Sequence, residues 1–372
     1  MSLDFIKRLS DTQPILVNVL RGYAALAPTR SLSFPAELTF EVVHSFLLND
    51  ILLNPLFTTY PPSPQYQVVF WKWALNNLEK LIDSEVYMFP PKVRWWLIMP
   101  KDHEIDTQLY EHYVSLIPTT SPQTVGVKPP IPSYVTYFWE SNSGFKTATL
   151  LESRTTIETG TTGLKTWLAS LVLAQFLITN PELVRSTRVL ELGCGVGLLG
   201  MIIANLQLSP EYSGGHLYLS DVNAEVLDRC KNNLNLPCNR SSAHPALTCT
   251  SLDWTDSLDE GQVTALRSSL QAIMPDMIVG ADVVYDPTII DPLLRSIHLG
   301  LQCKPTAMAL IALTVRNEDT MAKFTCMAEQ CLLVHEIRPE LADTQDFWGP
   351  GHYDSSCSQT VKIFCMKVKH VC

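Results

Sequence analysis

The chain has 372 residues, of which 46% are hydrophobic and 17% charged, and its formal net charge is −10. This length and composition predict a soluble globular protein with a large core and more than one domain. The acidic balance argues against direct nucleic-acid binding, which depends on Lys and Arg that neutralise phosphates, and it favours a basic protein partner.

Targeting segments and metal sites are not expected either. The N-terminus lacks the apolar core of a signal peptide, and no apolar run approaches the ~20 residues of a membrane helix. The ten cysteines contain no C-x-x-C pair, and the histidines are scattered. Together these features predict a cytoplasmic, monomeric protein with reduced thiols and no metal.

Residues 1–125 are predicted to form a helical N-terminal domain. Apolar positions at helical spacing favour helices at 36–53, 65–82 and 106–117, and a further apolar segment spans 93–99. The aromatic side chains expected in the core of this domain are Phe70, Trp71, Trp73, Trp95 and Trp96. The domain is expected either to dock a protein substrate or to support the rest of the chain.

Residues 126–160 are predicted to connect this domain to the next one. Five prolines between Pro118 and Pro132 indicate an extended linker. Two short apolar runs, 135–139 and 147–151, flank Asn142-Ser143-Gly144, whose turn chemistry predicts a β-hairpin.

Residues 161–372 alternate between helix and strand patterns. Strands are predicted at 188–192, 216–220, 246–252, 277–281, 307–315, 333–337 and 360–368, and helices at 164–178, 198–206, 224–236, 287–301 and 319–331. The alternation indicates an α/β fold with a doubly wound, mostly parallel seven-stranded sheet. The last two strands lack an intervening helix and are expected to pair antiparallel at one edge.

A glycine-rich turn follows the first of these strands. Gly193, Gly195 and Gly197 alternate there, and glycine permits both left-handed backbone and close approach to a ligand. Gly195, Gly197 and Gly200 also satisfy the dinucleotide fingerprint G-x-G-x-x-G, with Asp221 about 20 residues downstream. A nucleotide-like ligand is therefore predicted, and NAD is not excluded by spacing.

The charge beside this turn favours a cation. Glu191 would repel a pyrophosphate at the helix N-terminus, whereas S-adenosylmethionine carries a sulfonium and an ammonium and no phosphate. Asp221 suits a ribose hydroxyl pair with either ligand. The sequence thus favours S-adenosylmethionine over NAD.

Two further strand ends carry polar or aromatic residues. Asp253 and Trp254 follow the third strand, where a carboxylate can accept the adenine amine and an indole can pack on the purine. Ala281 leaves room for a ligand after the fourth strand, and Asp282 and Tyr285 are predicted to face the same crevice. In doubly wound sheets, ligands bind beyond the carboxyl ends of the strands.

Taken together, these motifs resemble the family 16 seven-β-strand S-adenosylmethionine-dependent methyltransferases, which have a Rossmann-like class I methyltransferase fold. Within that group, the Thr-Thr-Gly-Leu-x-Thr-Trp string at 161–167 and the Thr-Val-Arg-Asn string at 314–317 resemble the eukaryotic elongation factor 2 lysine methyltransferase family. The other matching segments are 150–153, 190–195, 220–221, 252–254 and 281–286.

The resemblance implies a protein-lysine N-methyltransferase that acts on elongation factor 2. It implies that Asp221 binds the ribose and that Asp282 and Tyr285, as a D-x-x-Y motif, form the catalytic substrate mouth. The residues that it implies as cofactor contacts are Trp167, Gly193, Cys194, Gly195, Trp254 and Ala281.

Three alternatives stay open at this point. The same fold could methylate another translation or chaperone protein. An NAD(P)-dependent oxidoreductase is disfavoured by Glu191 and by the absence of a Tyr-x-x-x-Lys pattern. A non-catalytic binding module is disfavoured by the intact glycines, Asp282 and Tyr285.

Overall fold

The computed structural model describes residues 3–87, 104–117, 130–141, 144–208, 214–338 and 360–369. Its described part divides into two compact units, one up to Thr149 and the other from Leu150 onward. Within the described residues, no helix combines the length and the apolar character needed to span a bilayer.

The described residues of the first unit form six α-helices and a hairpin. The helices are α1 (Leu3–Asp11), α2 (Pro14–Ala24), α3 (Phe40–Phe46), α4 (Pro55–Thr59), α5 (Pro64–Tyr87) and α6 (Thr107–Leu116), and α3 continues as a π-helix, Leu47–Leu52. The strands β1 (Ser133–Trp139) and β2 (Lys146–Glu152) pair as a two-stranded sheet. The predicted hairpin is confirmed, although two of its turn residues, Asn142 and Ser143, lie outside the described residues.

The core of this unit is aromatic. Phe70 and Trp71 of α5 are fully buried, and the ring centroid of Phe70 lies 4.5 Å from that of Tyr23 in α2. Trp73 is half-buried. The core prediction therefore holds for Phe70 and Trp71, while Trp95, Trp96, the segment 93–99 and most of the proline-rich linker fall outside the described residues.

The second unit is a sheet flanked by helices. Its strands are β3 (Arg188–Leu192), β4 (His216–Asp221), β5 (Leu247–Ser251), β6 (Met277–Ala281), β7 (Met308–Thr314), β8 (Leu332–Ile337) and β9 (Val361–Val368). Its helices are α7 (Leu168–Thr179), α8 (Leu198–Gln207), α9 (Ala224–Leu234), α10 (Val263–Ile273), α11 (Ile290–Gln302) and α12 (Glu318–Cys331).

The strand order explains where a ligand can bind. The order is β5-β4-β3-β6-β7-β9-β8, with β3 to β7 parallel and β9 antiparallel to both of its neighbours. The chain winds outward from β3 through β4 and β5, and then returns to the other side of β3 with β6. This reversal opens a crevice at the carboxyl ends of β3 and β6.

The doubly wound seven-stranded sheet is confirmed, with differences in detail. The antiparallel pair β8–β9 is as predicted, but β9 lies inside the sheet, between β7 and β8. Helix α10 was not predicted, because its buried face consists of only Leu266, Leu270 and Ile273. A short 3₁₀ helix, Pro287–Ile289, precedes α11 where a continuous helix was expected.

The helix predicted at 164–178 begins at Leu168 instead. Trp167 has extended backbone, φ −107° and ψ 158°, and forms the N-cap of α7. The residues before it bond to the end of β2: the Ser153 amide donates to the Leu164 carbonyl, and the Thr166 hydroxyl donates to the buried Glu152 carboxylate. These long-range bonds hold the segment out of the helix.

Because β9 lies between β7 and β8 within the sheet, its buried side chains should contribute strongly to the free energy of unfolding. Phe364 is 2% exposed, and its ring packs edge-on against Phe324 of α12 at 5.6 Å. We expect Phe364→Ala to lower the free energy of unfolding by about 3–5 kcal/mol in urea denaturation. Leu333→Ala on the neighbouring β8, where the side chain is 53% exposed, should change it by less than about 1 kcal/mol, and equal effects would contradict this placement.

Candidate active site

The glycine turn after β3 adopts the left-handed backbone that the sequence predicts. Gly193, Gly195 and Gly197 have φ values of +65°, +54° and +95°. A Cβ on Gly193 would lie 3.0 Å from the Val283 side chain and 3.6 Å from the Trp254 ring. Gly193 therefore faces a narrow space between the end of β3 and the loops after β5 and β6, which side chains would fill.

Asp221 fixes the glycine turn. Its carboxylate accepts hydrogen bonds from the backbone amides of Gly195 at 3.4 Å and Asn223 at 3.0 Å. The Cys194 amide donates to the Ser220 carbonyl at 2.9 Å, which ties the turn to β4. A carboxylate has about four acceptor positions, so Asp221 can still accept from a pair of ligand hydroxyls.

Glu191 lies beneath the turn and not in the open crevice. Its side chain faces Gly200 in α8, it is 3% exposed, and its Oε2 has no hydrogen-bond partner. Burial, with the nearby Cys249 and Asp221, raises the pKa of Glu191 well above its usual range. Since this favours the neutral carboxyl, Glu191 repels a pyrophosphate less than the sequence argument assumed.

The residues after β5 have a local structural role as well. Asp253 is the N-cap of a 3₁₀ helix, Trp254–Leu258, and its Oδ1 accepts from the Thr255 amide and hydroxyl. Trp254 is half-buried, and its ring borders the narrow space in front of Gly193. The structure thus brings Trp254 to the glycine turn, while Oδ2 of Asp253 keeps its acceptor positions.

Asp282 follows β6 in a left-handed conformation, with φ +53°. Its Oδ1 accepts from the Thr314 amide at 2.8 Å, and its Oδ2 accepts from the Thr314 hydroxyl and from Arg316, both at 2.9 Å. The side chain is only 4% exposed. The carboxylate is therefore bound to the end of β7, and Oδ1 retains one acceptor position.

The other predicted residues lie around this edge. Ala281 is the last residue of β6 and pairs with Ala312 of β7. Tyr285 is 67% exposed and lies close enough to Asp221 to be affected by its charge. The Trp167 indole donates to the Thr162 carbonyl at 3.0 Å and stacks under Arg316, whose guanidinium carbon is 5.0 Å from the ring centroid.

Arg316 and Thr314 were not assigned a role from the sequence. Their Thr-Val-Arg-Asn string was noted only as a matching segment. The sequence does not show that residues at the end of β7 contact the loop after β6. A Cβ on Gly195 would lie 3.2 Å from the Gly163 carbonyl oxygen, and this close packing was likewise not predicted.

The sequence of this chain is similar to those of known protein-lysine methyltransferases. A family model described as Lysine methyltransferase matches residues 147–330. The human Protein-lysine N-methyltransferase EEF2KMT is 29% identical over 347 residues, which cover 88% of this chain and 91% of that protein. Protein-lysine N-methyltransferase EFM3 of Chaetomium thermophilum is 29% identical over 300 residues, which cover 79% of this chain and 82% of that protein.

Solved structures show a looser likeness. The O-methyltransferase of Bacillus cereus, in complex with SAH, is 16% identical and has a TM-score of 0.32. The match covers 54% of this chain and 80% of that one.

The position of Glu191 makes stability depend on pH. Its pKa is about 4.5 before burial and is higher in the folded protein, so the folded state binds more protons between these two values. Stability is therefore lost as the pH rises through that window. We expect the melting temperature of the wild type to fall relative to that of Glu191→Gln as the pH rises above 4.5. The exposed Glu260→Gln should follow the wild type, and parallel curves for wild type and Glu191→Gln would contradict the buried placement.

The space in front of Gly193 gives a second prediction. Gly193→Arg should abolish binding of S-adenosylhomocysteine in calorimetry, because its side chain would enter the space between Val283 and Trp254. Gly214→Arg is the control: Gly214 also has positive φ, +105°, but no heavy atom lies within 4 Å of its Cβ position. Unchanged affinity in a folded Gly193→Arg protein would show that the ligand binds elsewhere.

Proposed function

We propose that this chain, whose residues 147–330 match a lysine methyltransferase family model, transfers methyl groups from S-adenosylmethionine to a lysine of elongation factor 2. The observation that carries this choice of substrate is the extent of the similarity to EEF2KMT. It covers 88% of the chain and so reaches well outside the family segment, into the N-terminal unit.

The residues of the crevice fit S-adenosylmethionine. The cradle at Gly193 would be closed by any side chain, Trp254 offers an aromatic wall beside it, and Asp221 retains acceptor positions for the ribose. Glu191 supplies an unpaired buried oxygen beneath the turn. We assign the contacts with the cofactor to Gly193, Trp254 and Asp221, together with Trp167, Cys194, Gly195, Asp253 and Ala281, whereas Glu191 supports the turn from beneath.

The cofactor supplies an electrophilic methyl group, and the protein must present a neutral amine to it in line. A free lysine has a pKa of about 10.4, so the acceptor has to lose a proton at the site. A half-buried mouth lined by aromatic rings disfavours the ammonium by removing water. Displacement at carbon then depends mainly on alignment.

We assign alignment of the amine to Asp282 and Tyr285. Asp282 is held rigidly by Thr314 and Arg316 and has one acceptor position left on Oδ1. Tyr285 is exposed at the same edge and can contact the stem of the incoming lysine. Asp282 is therefore an orienting group, and the proton leaves to water.

The N-terminal unit has two candidate roles in this proposal. Residues 1–125 either dock elongation factor 2 or support the hairpin of 126–160 and the transferase domain of 161–372. Action on this substrate places the enzyme in the cytoplasm, where we propose that it works as a monomer.

The test is transfer of labelled methyl groups to purified elongation factor 2. We expect the wild type to label one lysine-containing peptide, located by mass mapping. Asp282→Asn preserves the shape of the side chain and tolerates the left-handed backbone. It should lower kcat at least about 100-fold while the affinity for S-adenosylhomocysteine stays within about fivefold.

Two outcomes would contradict the proposal. If label appears only in other proteins of a cell lysate, the substrate is another protein and not elongation factor 2. Loss of S-adenosylhomocysteine binding in folded Asp282→Asn would assign Asp282 to the cofactor pocket and not to the acceptor side.

A further inference from the structure

Arg316 connects two parts of the site that come from distant segments. It follows β7, and its side chain is 36% exposed. Its guanidinium carbon lies over the Trp167 ring, 5.0 Å from the centroid, and its Nη2 donates to Asp282 Oδ2 at 2.9 Å. A planar guanidinium can stack on a ring and form an ion pair at the same time, which an ammonium cannot do as well.

Each partner of Arg316 is otherwise held from another direction. Thr314 holds Asp282 through its amide and its hydroxyl, and Asp282 donates its own amide to the Ala312 carbonyl. The Trp167 indole is held at its edge by the Thr162 carbonyl, so that its face remains for Arg316. Within the described residues, Arg316 is the side chain that joins Asp282 to Trp167.

This arrangement differs from an ordinary surface ion pair. The Asp282 side chain is 4% exposed, so its charge requires compensation. The Trp167 backbone is extended at the N-cap of α7, and its side chain does not cap the helix. The Arg316 contact is therefore well placed to fix both the carboxylate and the indole.

We propose that Arg316 is a positioning residue for methyl transfer, which locks Asp282 to Trp167 so that the acceptor side and the cofactor side of the site move as one unit. The proposal rests on the roles proposed above for Trp167 and Asp282. Its chemistry is a charge-assisted hydrogen bond on one side and a cation–π contact on the other. In this proposal Arg316 acts through Asp282 and Trp167 and not directly on the reactants.

A double-mutant cycle with Asp282→Asn and Arg316→Met tests the coupling. We expect Arg316→Met to lower kcat at least tenfold with little change in KM for elongation factor 2, and to raise the Kd for S-adenosylhomocysteine about fivefold. The double variant should be no slower than Asp282→Asn alone, because the two residues act as a unit. Arg316→Lys keeps the positive charge but lacks the planar guanidinium. Its kcat should therefore lie between those of Arg316→Met and the wild type.

Arg295→Met is the matched control. Arg295 forms an ion pair with Asp291 at 3.0 Å on the exposed face of α11, and its loss should leave kcat and Kd unchanged. Effects of Asp282→Asn and Arg316→Met that multiply in the double variant would overturn the proposal, as would wild-type kcat in Arg316→Met.

The cofactor titration separates this proposal from the choice of substrate. S-adenosylhomocysteine binding requires no protein acceptor, so a raised Kd in Arg316→Met supports the coupling even if elongation factor 2 is not methylated. The kinetic arm then uses labelled transfer into lysate protein. If Arg316→Met does not fold, Arg316→Lys decides: a kcat several-fold below wild type at an unchanged Tm supports the proposal, and wild-type kcat overturns it.

Discussion

The site depends on one constraint of the backbone, the left-handed turn that joins β3 directly to α8. Three glycines with positive φ make the turn so tight that side chains at those positions would meet Val283, the Gly163 carbonyl or Cys230. Because the turn lies where the strand order reverses, the loops after β4, β5 and β6 all reach it. The proposed cofactor cradle is thus produced by the sheet topology and completed by the absence of Cβ atoms.

Much of this could be predicted from the sequence, since it depends on local patterns. The apolar runs of β3 and β6 match the structure at both ends, and glycines followed by a small apolar helix have few other structural explanations. The strand ends likewise placed Asp221, Asp253 and Asp282 at one edge. A long helix with a regular apolar face, such as α9, was found for the same reason.

The remainder depended on contacts between distant segments, which a sequence pattern does not contain. The segment before Trp167 has helical character, but its bonds to Ser153 and Glu152 keep it extended. Glu191 was interpreted as a charge beside the ligand, whereas its side chain is buried against α8, and burial raises its pKa. Arg316 lies 34 residues after Asp282, and no periodicity could connect the two.

The interior position of β9 has a consequence for how the enzyme is made. The Val315 amide donates to the Thr360 carbonyl, and Thr314 pairs with Val361, so the start of β9 fixes the segment that carries Thr314 and Arg316. During translation β9 leaves the ribosome after β3 to β8. The nascent chain therefore holds an incomplete sheet, in which the segment that carries Thr314 and Arg316 is not yet fixed, until β9 inserts.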